Sequence, residues 1–324
     1  MSATVVTWAN VVAFVLTLAA STAVAWAPLF RAPVGSRSDR ASASLPRELK
    51  DHSGDVVRVR DYDRIVSAST VADALLVELC EPDRVIAFTA HSALGASGGY
   101  RYAGKPRVDL GRVESVLSLH PDLVLVNAVG DPHQVVRLRD AGVAVFDLGE
   151  MRGQATLVQN IREVAVLVGH PERGERYARR LVEQMRSIAL DIPGPDRETG
   201  MYLSVYGGRP FGGASGTSYH DVLVAAGLVD AAARFDGWPE FTTEQVLGID
   251  PQIIVTDTGM RQAICEHAGF TALLACRSLG GVVEVDDSVL GDPGPGMIEA
   301  AQIVRDLVYG PPPVAPADTE RTVP

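Results

Sequence analysis

Positive charge is scarce in this chain of 324 residues, and nearly all of it is arginine. Lys and Arg total 29 against 40 Asp and Glu, and Lys50 and Lys105 are the only lysines. A formal net charge of −11 argues against nucleic acid as a partner, because phosphate binding needs clustered cations. The arginine bias is read as the mark of a GC-rich genome. Cysteine is almost as rare: Cys80, Cys265 and Cys276. In an oxidising compartment the last two, eleven residues apart, could pair. The preferred reading is that all three are buried small hydrophobes. Enzyme signatures are missing too. There is no Gly-rich phosphate loop followed by Lys and no G-x-S-x-G elbow, and the 7 histidines show no metal-ligand spacing. What is present is globular composition, 47% hydrophobic and 21% charged, with room for two lobes of ordinary size.

From Thr4 to Phe30 no residue is charged, and "VVAFVLTLAASTAVAWA" is almost continuously apolar. The run is long enough to span a bilayer and contains a small-x-small site, Ala23-Val24-Ala25, of the kind signal peptidase cuts. A basic n-region is lacking, and Arg31, Arg37 and Arg40 follow the run, an order that by the positive-inside tendency opposes export. No cysteine lies near Ala19 to Ala27, which disfavours a lipid anchor. Export is expected, with residues 1–30 a signal peptide or a retained membrane anchor. Residues 31–61, rich in Ser, Arg and Asp, read as a tether, and the proline-rich 312–324 as a disordered tail.

Between these ends, β-branched runs alternate with amphipathic stretches, the pattern of parallel sheets wrapped by helices. "RIVSAS", "RVIAFT", "LVLVN" and "VAVFDL" read as strands, and "VADALLVELC" sets Val71, Leu75 and Leu79 on one helical face. "PERGERYARRLVEQMRSIALDI" predicts about twenty residues of helix, some 30 Å, with Leu181, Met185, Ile188 and Leu190 as its apolar stripe. A second αβ run follows, with strands "MYLSVYGG" and "QIIVTD", helix "YHDVLVAAGL", and a last helix "MIEAAQIVRDLVYG". One phrase occurs in both halves: "VESVLSLHPDLVLVN" from Val113 and "TEQVLGIDPQIIVTD" from Thr243 share a Glu, a Val-Leu pair and a Pro in register. Two αβ lobes carrying one helix–Pro–strand unit each are therefore expected: 62–169, a linking helix over 170–193, and 194–311. Ligands of open parallel sheets sit at the carboxyl ends of the strands, which aims Asn127 and Asp257 at a cleft between the lobes.

The order of elements resembles the ABC-transporter solute-binding proteins that carry iron–siderophores, haem and cobalamin. The phrases "RIVSAST", "VESVLSLHPDLVLVN", "GGRPFGGASGTSYHDVLVAAG", "WPEFTTEQVLGIDPQIIV" and "GPGMIEAAQIV" carry the likeness over roughly Arg64 to Tyr309. The resemblance implies an α/β fold of two lobes joined by one long rigid helix, with small lobe movement on binding. It implies no catalysis, cofactor or resident metal. The ligand would be a metal chelate, cobalamin or a ferric siderophore, handed to an ABC permease dimer outside the cytoplasmic membrane. Family members dock a Glu of each lobe onto basic permease residues, and Glu114 and Glu244 match those positions. Glu244 also lies within T-x-x-Q, a capping-box pattern, so a helix-start role is open to it.

Candidate ligand contacts come from several stretches. Phe211 stands among glycines in "GGRPFGGASGTSYHD", Trp238 precedes a Pro in a loop, and Tyr219 begins the next helix. Tyr100, Arg101 and Tyr102 lie in "GGYRYAGKP" between strands. Such aromatics suit a large, flat, partly apolar ligand. Phe211 and Trp238 match aromatic contacts of cobalamin-binding relatives, whereas His91, Val108 and Asn127 replace aromatics of the N-terminal lobe. Haem-binding relatives carry a Tyr before the first docking Glu; "RVDLGRVE" has none. Arg101 and Arg209 fit siderophore binding. Two rival classes are an anchored sensor or scaffold and a chelatase-like metal enzyme, the second requiring His91, His220 and Asp257 to converge.

Overall fold

The computed structural model of the protein describes residues 46–91, 99–127 and 132–311. The apolar N-terminal segment and the proline-rich tail lie outside them. Among the described residues no helix is long and apolar enough to cross a membrane.

The expected tether ends earlier than residue 61. Strands β1 (Glu48–Lys50) and β2 (Val56–Arg58) pair antiparallel. The turn between them is organised by the buried Asp51 carboxylate, which accepts hydrogen bonds from Ser53 Oγ at 2.8 Å, Asp55 N at 2.9 Å and Arg139 Nη2 at 2.8 Å. Polar residues that read as linker are here the partners of a buried charge, which needs such donors to be tolerated.

The N-terminal lobe is a five-stranded sheet in the order β5-β4-β3-β6-β7, with every pairing parallel. Its strands are β3 (Ile65–Ser67), β4 (Val85–Thr89), β5 (Arg107–Val108), β6 (Leu123–Val126) and β7 (Ala144–Asp147). Helices α1 (Thr70–Leu79), α2 (Val113–Leu117) and α3 (Pro132–Asp140) connect them. Ser69 starts α1 by accepting from Ala72 N at 3.1 Å, and Val71, Leu75 and Leu79 are all buried, as their spacing predicts. His52 N donates to Asp147 O at 3.1 Å, so the β1–β2 turn covers part of the edge strand β7.

The chain leaves this lobe through α4 (Gln154–Leu167) and α5 (Pro171–Ser187), the latter beginning with Pro at its first turn. The linking helix has 17 residues, a little shorter than expected. Leu181 and Met185 are buried, but Leu190 lies past the helix end and is exposed. A Cβ on Gly174 of α5 would stand 2.3 Å from the Cβ of Ala165 in α4, so the helices approach as closely as a hydrogen side chain allows. One hydrophobic cluster runs from Leu75 and Phe146 through Ile161, Tyr177 and Leu181 to Val222 and Val304. The apolar faces of the helix pair thus belong to a core common to both lobes.

The C-terminal lobe has strands β8 (Thr199–Tyr206), β10 (Val229–Asp230), β11 (Ile253–Asp257) and β12 (Val282–Val285), parallel in the order β10-β8-β11-β12. A fifth, β9 (Arg209–Gly213), returns antiparallel on β8 through Gly207 and Gly208, both at positive φ. That two-residue turn favours glycine, and it makes a strand of what reads as a Gly-rich loop. The helices are α6 (Ser218–Ala225), α7 (Thr243–Ile249), α8 (Met260–Cys265), α9 (Leu274–Arg277), α10 (Asp287–Leu290) and α11 (Met297–Tyr309).

The duplicated phrase forms the same unit twice, α2–Pro121–β6 and α7–Pro251–β11. The residue before each Pro is left-handed, His120 at φ 50° and Asp250 at φ 43°, and these are the only non-glycine residues at positive φ among those described. The cysteine expectation needs correction: Cys265 and Cys276 form a disulfide, with Cα atoms 5.5 Å apart, while Cys80 is free and buried. Eleven residues of chain in α8, a turn and α9 bring the two together, a fold that spacing alone does not reveal.

Substitution of Gly174 by Val tests the helix contact. Higher helix propensity would add at most ~1 kcal/mol, whereas a branched side chain forced into a gap with no room costs about 1–3 kcal/mol. Gly174→Val should lower the urea midpoint accordingly; an unchanged midpoint would show that α4 and α5 can part without loss.

Candidate functional site

Successive side chains of a strand point to opposite faces, so Tyr202, Ser204 and Tyr206 of β8 share one. They face a hollow of about 580 Å³ that is also lined by Arg209 and Phe211 of β9, Tyr219 of α6, Trp238 and Asp287. Phe211 stands opposite Ser204 in the β8–β9 pair. The loop that carries Trp238 is fastened to the lobe by backbone bonds: Gly237 N donates to Ser215 O at 2.9 Å and Ala214 N to Gly237 O at 2.9 Å. Thr217 caps α6 by accepting from His220 N at 3.3 Å, which sets Tyr219 in the first turn. A Cβ on Gly213 would come within 2.4 Å of the Tyr219 ring, so Tyr219 can lie flat there only over a glycine.

The aromatic groups are ordered by contacts with one another. Tyr202 and Tyr219 stack with centroids 3.7 Å apart and planes 13° apart, and Tyr206 lies 6.4 Å from Phe211. Behind them is Asp257, 4% exposed, at the end of β11. Its Oδ2 accepts hydrogen bonds from Tyr202 Oη at 2.9 Å and Tyr206 Oη at 3.2 Å. Burial pushes the Asp257 carboxyl above its usual range, against the two tyrosine hydroxyls that favour the charged form. Burial, with Tyr219 and Asp257 beside it, raises the Tyr202 phenol strongly, so that it stays a donor.

The N-terminal lobe reaches the rim. Arg152, just before α4, lies 5.7 Å from the Trp238 ring centroid and pairs with Asp236 at 3.3 Å. Gln154 N donates to Asp221 Oδ2 at 2.6 Å, placing a carboxylate of the C-terminal lobe at the amino end of α4. Burial raises the Asp221 carboxyl while this backbone bond lowers it.

Of the residues singled out in the sequence, Arg209, Phe211, Tyr219 and Trp238 come together in this hollow, with Asp257 as its backing. Tyr102 does not belong there. Its ring is 4% exposed, packs edge-on to Phe88 at 5.2 Å, and its hydroxyl donates to Cys80 O at 3.2 Å. A tyrosine that reads as a loop aromatic is a core residue whose polar tip is satisfied by a helix end. His91 is exposed just past β4, and Asn127 is half-buried just past β6, each beside residues outside the described set. Tyr100 lies in a 3-10 turn, and its side chain is outside that set as well. The convergence that a chelatase-like metal site needs is not formed. His220 Nδ1 meets Asp230 Oδ2 at 2.6 Å, Asp257 serves the two tyrosines, and no group of three or more potential metal ligands occurs among the described residues. Tyr202, Ser204, Tyr206 and Asp287 were missed. The signal was there in "MYLSVY": polar groups at every second position of a strand inside a parallel sheet, where both faces are usually apolar.

Glu114 and Glu244 sit in the first turns of α2 and α7, both exposed. Glu114 is paired with Arg137, whose guanidinium holds its carboxyl below the usual range. The Thr242–Gln245 capping box is formed, with Gln245 N to Thr242 Oγ1 at 3.2 Å and Thr242 N to Gln245 Oε1 at 2.8 Å.

Two αβ lobes fixed by a helix pair, with an aromatic hollow at the strand ends, define a two-lobe ligand-binding protein. The chain belongs to the periplasmic binding protein family, whose model matches residues 66–280. It is 24% identical over 287 residues to an uncharacterized ABC transporter substrate-binding lipoprotein of Bacillus subtilis, covering 85% of this chain and 89% of that one. It is 24% identical over 279 residues to a cobalamin-binding protein of Halobacterium salinarum, covering 81% and 73%. The fold is shared with a periplasmic heme-binding protein of Roseiflexus sp. RS-1 in its apo form, at a TM-score of 0.61 and 22% identity, over 76% of this chain and 98% of that one.

The raised Asp257 carboxyl has a consequence for stability. An acid with a higher pKa in the folded state than in the unfolded chain contributes stability that is fully present below the unfolded value, near about 4. That contribution is lost as pH rises through the folded value. Asp257→Asn should therefore melt above the parent at pH 7, with the gap closing as pH falls towards about 4. Thermal melts across this range check it, and a gap independent of pH would remove the titration of Asp257 as its cause.

Proposed function

We propose that this chain is the extracytoplasmic substrate-binding component of an ABC importer and that its ligand is a metal chelate, a corrinoid such as cobalamin. The observation that carries the reading is the aromatic hollow of Tyr202, Tyr206, Phe211, Tyr219 and Trp238 at the strand ends of one lobe, with the other lobe's Arg152 at its rim. Flat aromatic walls with little free charge match a broad, rigid, partly apolar macrocycle. The names of the relatives support it: one is a substrate-binding component of an ABC transporter, the other binds cobalamin.

In this reading binding is the whole task, and the ligand rests on Trp238 and Phe211. Trp238 is 41% exposed and its ring is not part of the core, so its removal leaves the fold intact. Trp238→Ala should weaken cobalamin binding by on the order of 1–3 kcal/mol, roughly 5- to 150-fold. Titration calorimetry of the purified protein with cobalamin and with a ferric siderophore tests both claims. Tight binding of the siderophore without cobalamin would reassign the ligand, and an unchanged dissociation constant in the variant would remove Trp238 from the site.

Glu114 and Glu244 are assigned to permease docking. They stand at the same place in two equivalent lobes, at a separation held by the α4–α5 pair, which a two-fold permease dimer can read. The Arg137 pair at Glu114 is exposed, and such pairs are weak enough to yield to a partner's cations. Replacing both by Ala should leave ligand affinity unchanged and impair uptake at limiting ligand, each single change being milder. Normal uptake by the double variant would leave the two acids with only their helix-start role.

A further inference from the structure

Two buried polar atoms at the hollow have no hydrogen-bond partner: Ser204 Oγ in its lining and Asp257 Oδ1 behind its tyrosines. Ser204 is wholly inaccessible and Asp257 is 4% exposed. The two belong together. Continuing the register in which Val255 of β11 faces Tyr202 of β8 by two residues sets Asp257 beside Ser204 on the same face of the sheet. Buried polar groups in folded proteins are as a rule paired, so two unpaired atoms beside a ligand hollow are available to a ligand's own polar group.

The polarity of that group follows from the surroundings. The hydroxyls of Tyr202 and Tyr206 both donate to Asp257 Oδ2, which leaves Oδ1 as an acceptor with nothing to accept. Asp287, in the lining, adds a second acid. Among the described lining residues the single cation is Arg209, and Glu240 already holds it at 3.0 Å. Arg152 at the rim lies 3.3 Å from Asp236 and 3.7 Å from Glu150 in exposed ion pairs. An anionic edge reaching Asp257 would meet buried like charge, whereas a neutral N–H donor would complete Oδ1.

We propose that Asp257 Oδ1 and Ser204 Oγ form an acceptor site that selects a chelate presenting carboxamide N–H groups over one presenting carboxylates. The corrinoid reading supplies the identity of the chelate, and the site supplies its edge chemistry. Corrin rings with amidated side chains satisfy both. A tetrapyrrole with ionised propionates has the right shape and the wrong edge. Specificity here lies in rejection as much as attraction, since a carboxylate finds its place occupied by another.

The experiment uses the full-length protein and three probes: dicyanocobinamide, the dicyano-corrin whose side-chain amides are hydrolysed to carboxylates, and haemin. Dissociation constants are measured at pH 7.5 for the parent, Asp257→Asn and Ser204→Ala. The parent should prefer cobinamide to the hydrolysed corrin by at least about tenfold. Asp257→Asn, which turns the acceptor edge into an amide donor, should bring the two within about threefold. Ser204→Ala, a smaller change at the same site, should weaken cobinamide by about 2- to 10-fold and leave the hydrolysed corrin unchanged. Equal binding of the two corrins by the parent, or a preference untouched in both variants, would overturn the acceptor site and leave the corrinoid reading standing. Haemin binding more tightly than cobinamide, or no binding of any probe, would overturn both.

Discussion

The contact on which the rest of the molecule depends is the approach of α5 to α4 at Gly174 and Ala165, closer than any side chain larger than hydrogen permits. Interiors pack to near-crystalline density, so a contact of this kind has one good arrangement and many poor ones. Because the apolar faces of the helix pair belong to a core shared by both lobes, fixing one helix on the other fixes the lobes as well. The amino end of α4 then falls against Asp221, and Arg152 against Trp238. Polar and cation–π contacts of this size are too weak to position domains alone. They register an arrangement that apolar packing has already set.

Within the C-terminal lobe, the hollow arises from an unusual use of a parallel strand. Such strands are normally apolar on both faces, but β8 carries Tyr, Ser and Tyr on one of them. Tyr202 keeps the strand compatible with burial because its ring is buried while its hydroxyl reaches Asp257, and the half-exposed Tyr206 reaches the same oxygen from the strand end. Asp257 in turn lies at the carboxyl end of β11, where a parallel sheet leaves room for ligand rather than core. Stacking of Tyr202 on Tyr219 ties the strand to α6, so the hollow is braced from the sheet and from a helix. A wall preorganised in this way loses little freedom when a ligand enters.

Much of this was legible in the sequence, for reasons that differ by feature. The duplicated phrase revealed two equivalent lobes because its apolar alternation, its acid and its proline are local signals. Phe211 and Trp238 were legible as residues of the hollow because each large aromatic stood between a glycine and a proline. Tyr102 looked the same and proved to be core, since nothing local distinguishes a loop aromatic that folds inward onto Phe88. The β1–β2 turn was hidden for a related reason: Asp51 finds Arg139 88 residues away, and no composition rule anticipates that partner. The Tyr202–Asp257 bond, spanning 55 residues, depends on strand register, which the chain does not announce.

The three cysteines have a chemical sequel. Exchange between a disulfide and a thiol proceeds through the thiolate, attacking in line and with access to sulfur. Cys80 is buried in the N-terminal lobe, and burial raises its thiol to about 11, so at neutral pH only about one molecule in ten thousand carries the reactive form. The Cys265–Cys276 bond lies in the other lobe, across a short loop of eleven residues. A folded molecule therefore has no internal nucleophile able to reopen or reshuffle its one crosslink. Reshuffling within the molecule is confined to the unfolded chain, and folding itself acts as the step that removes the internal thiol from the exchange.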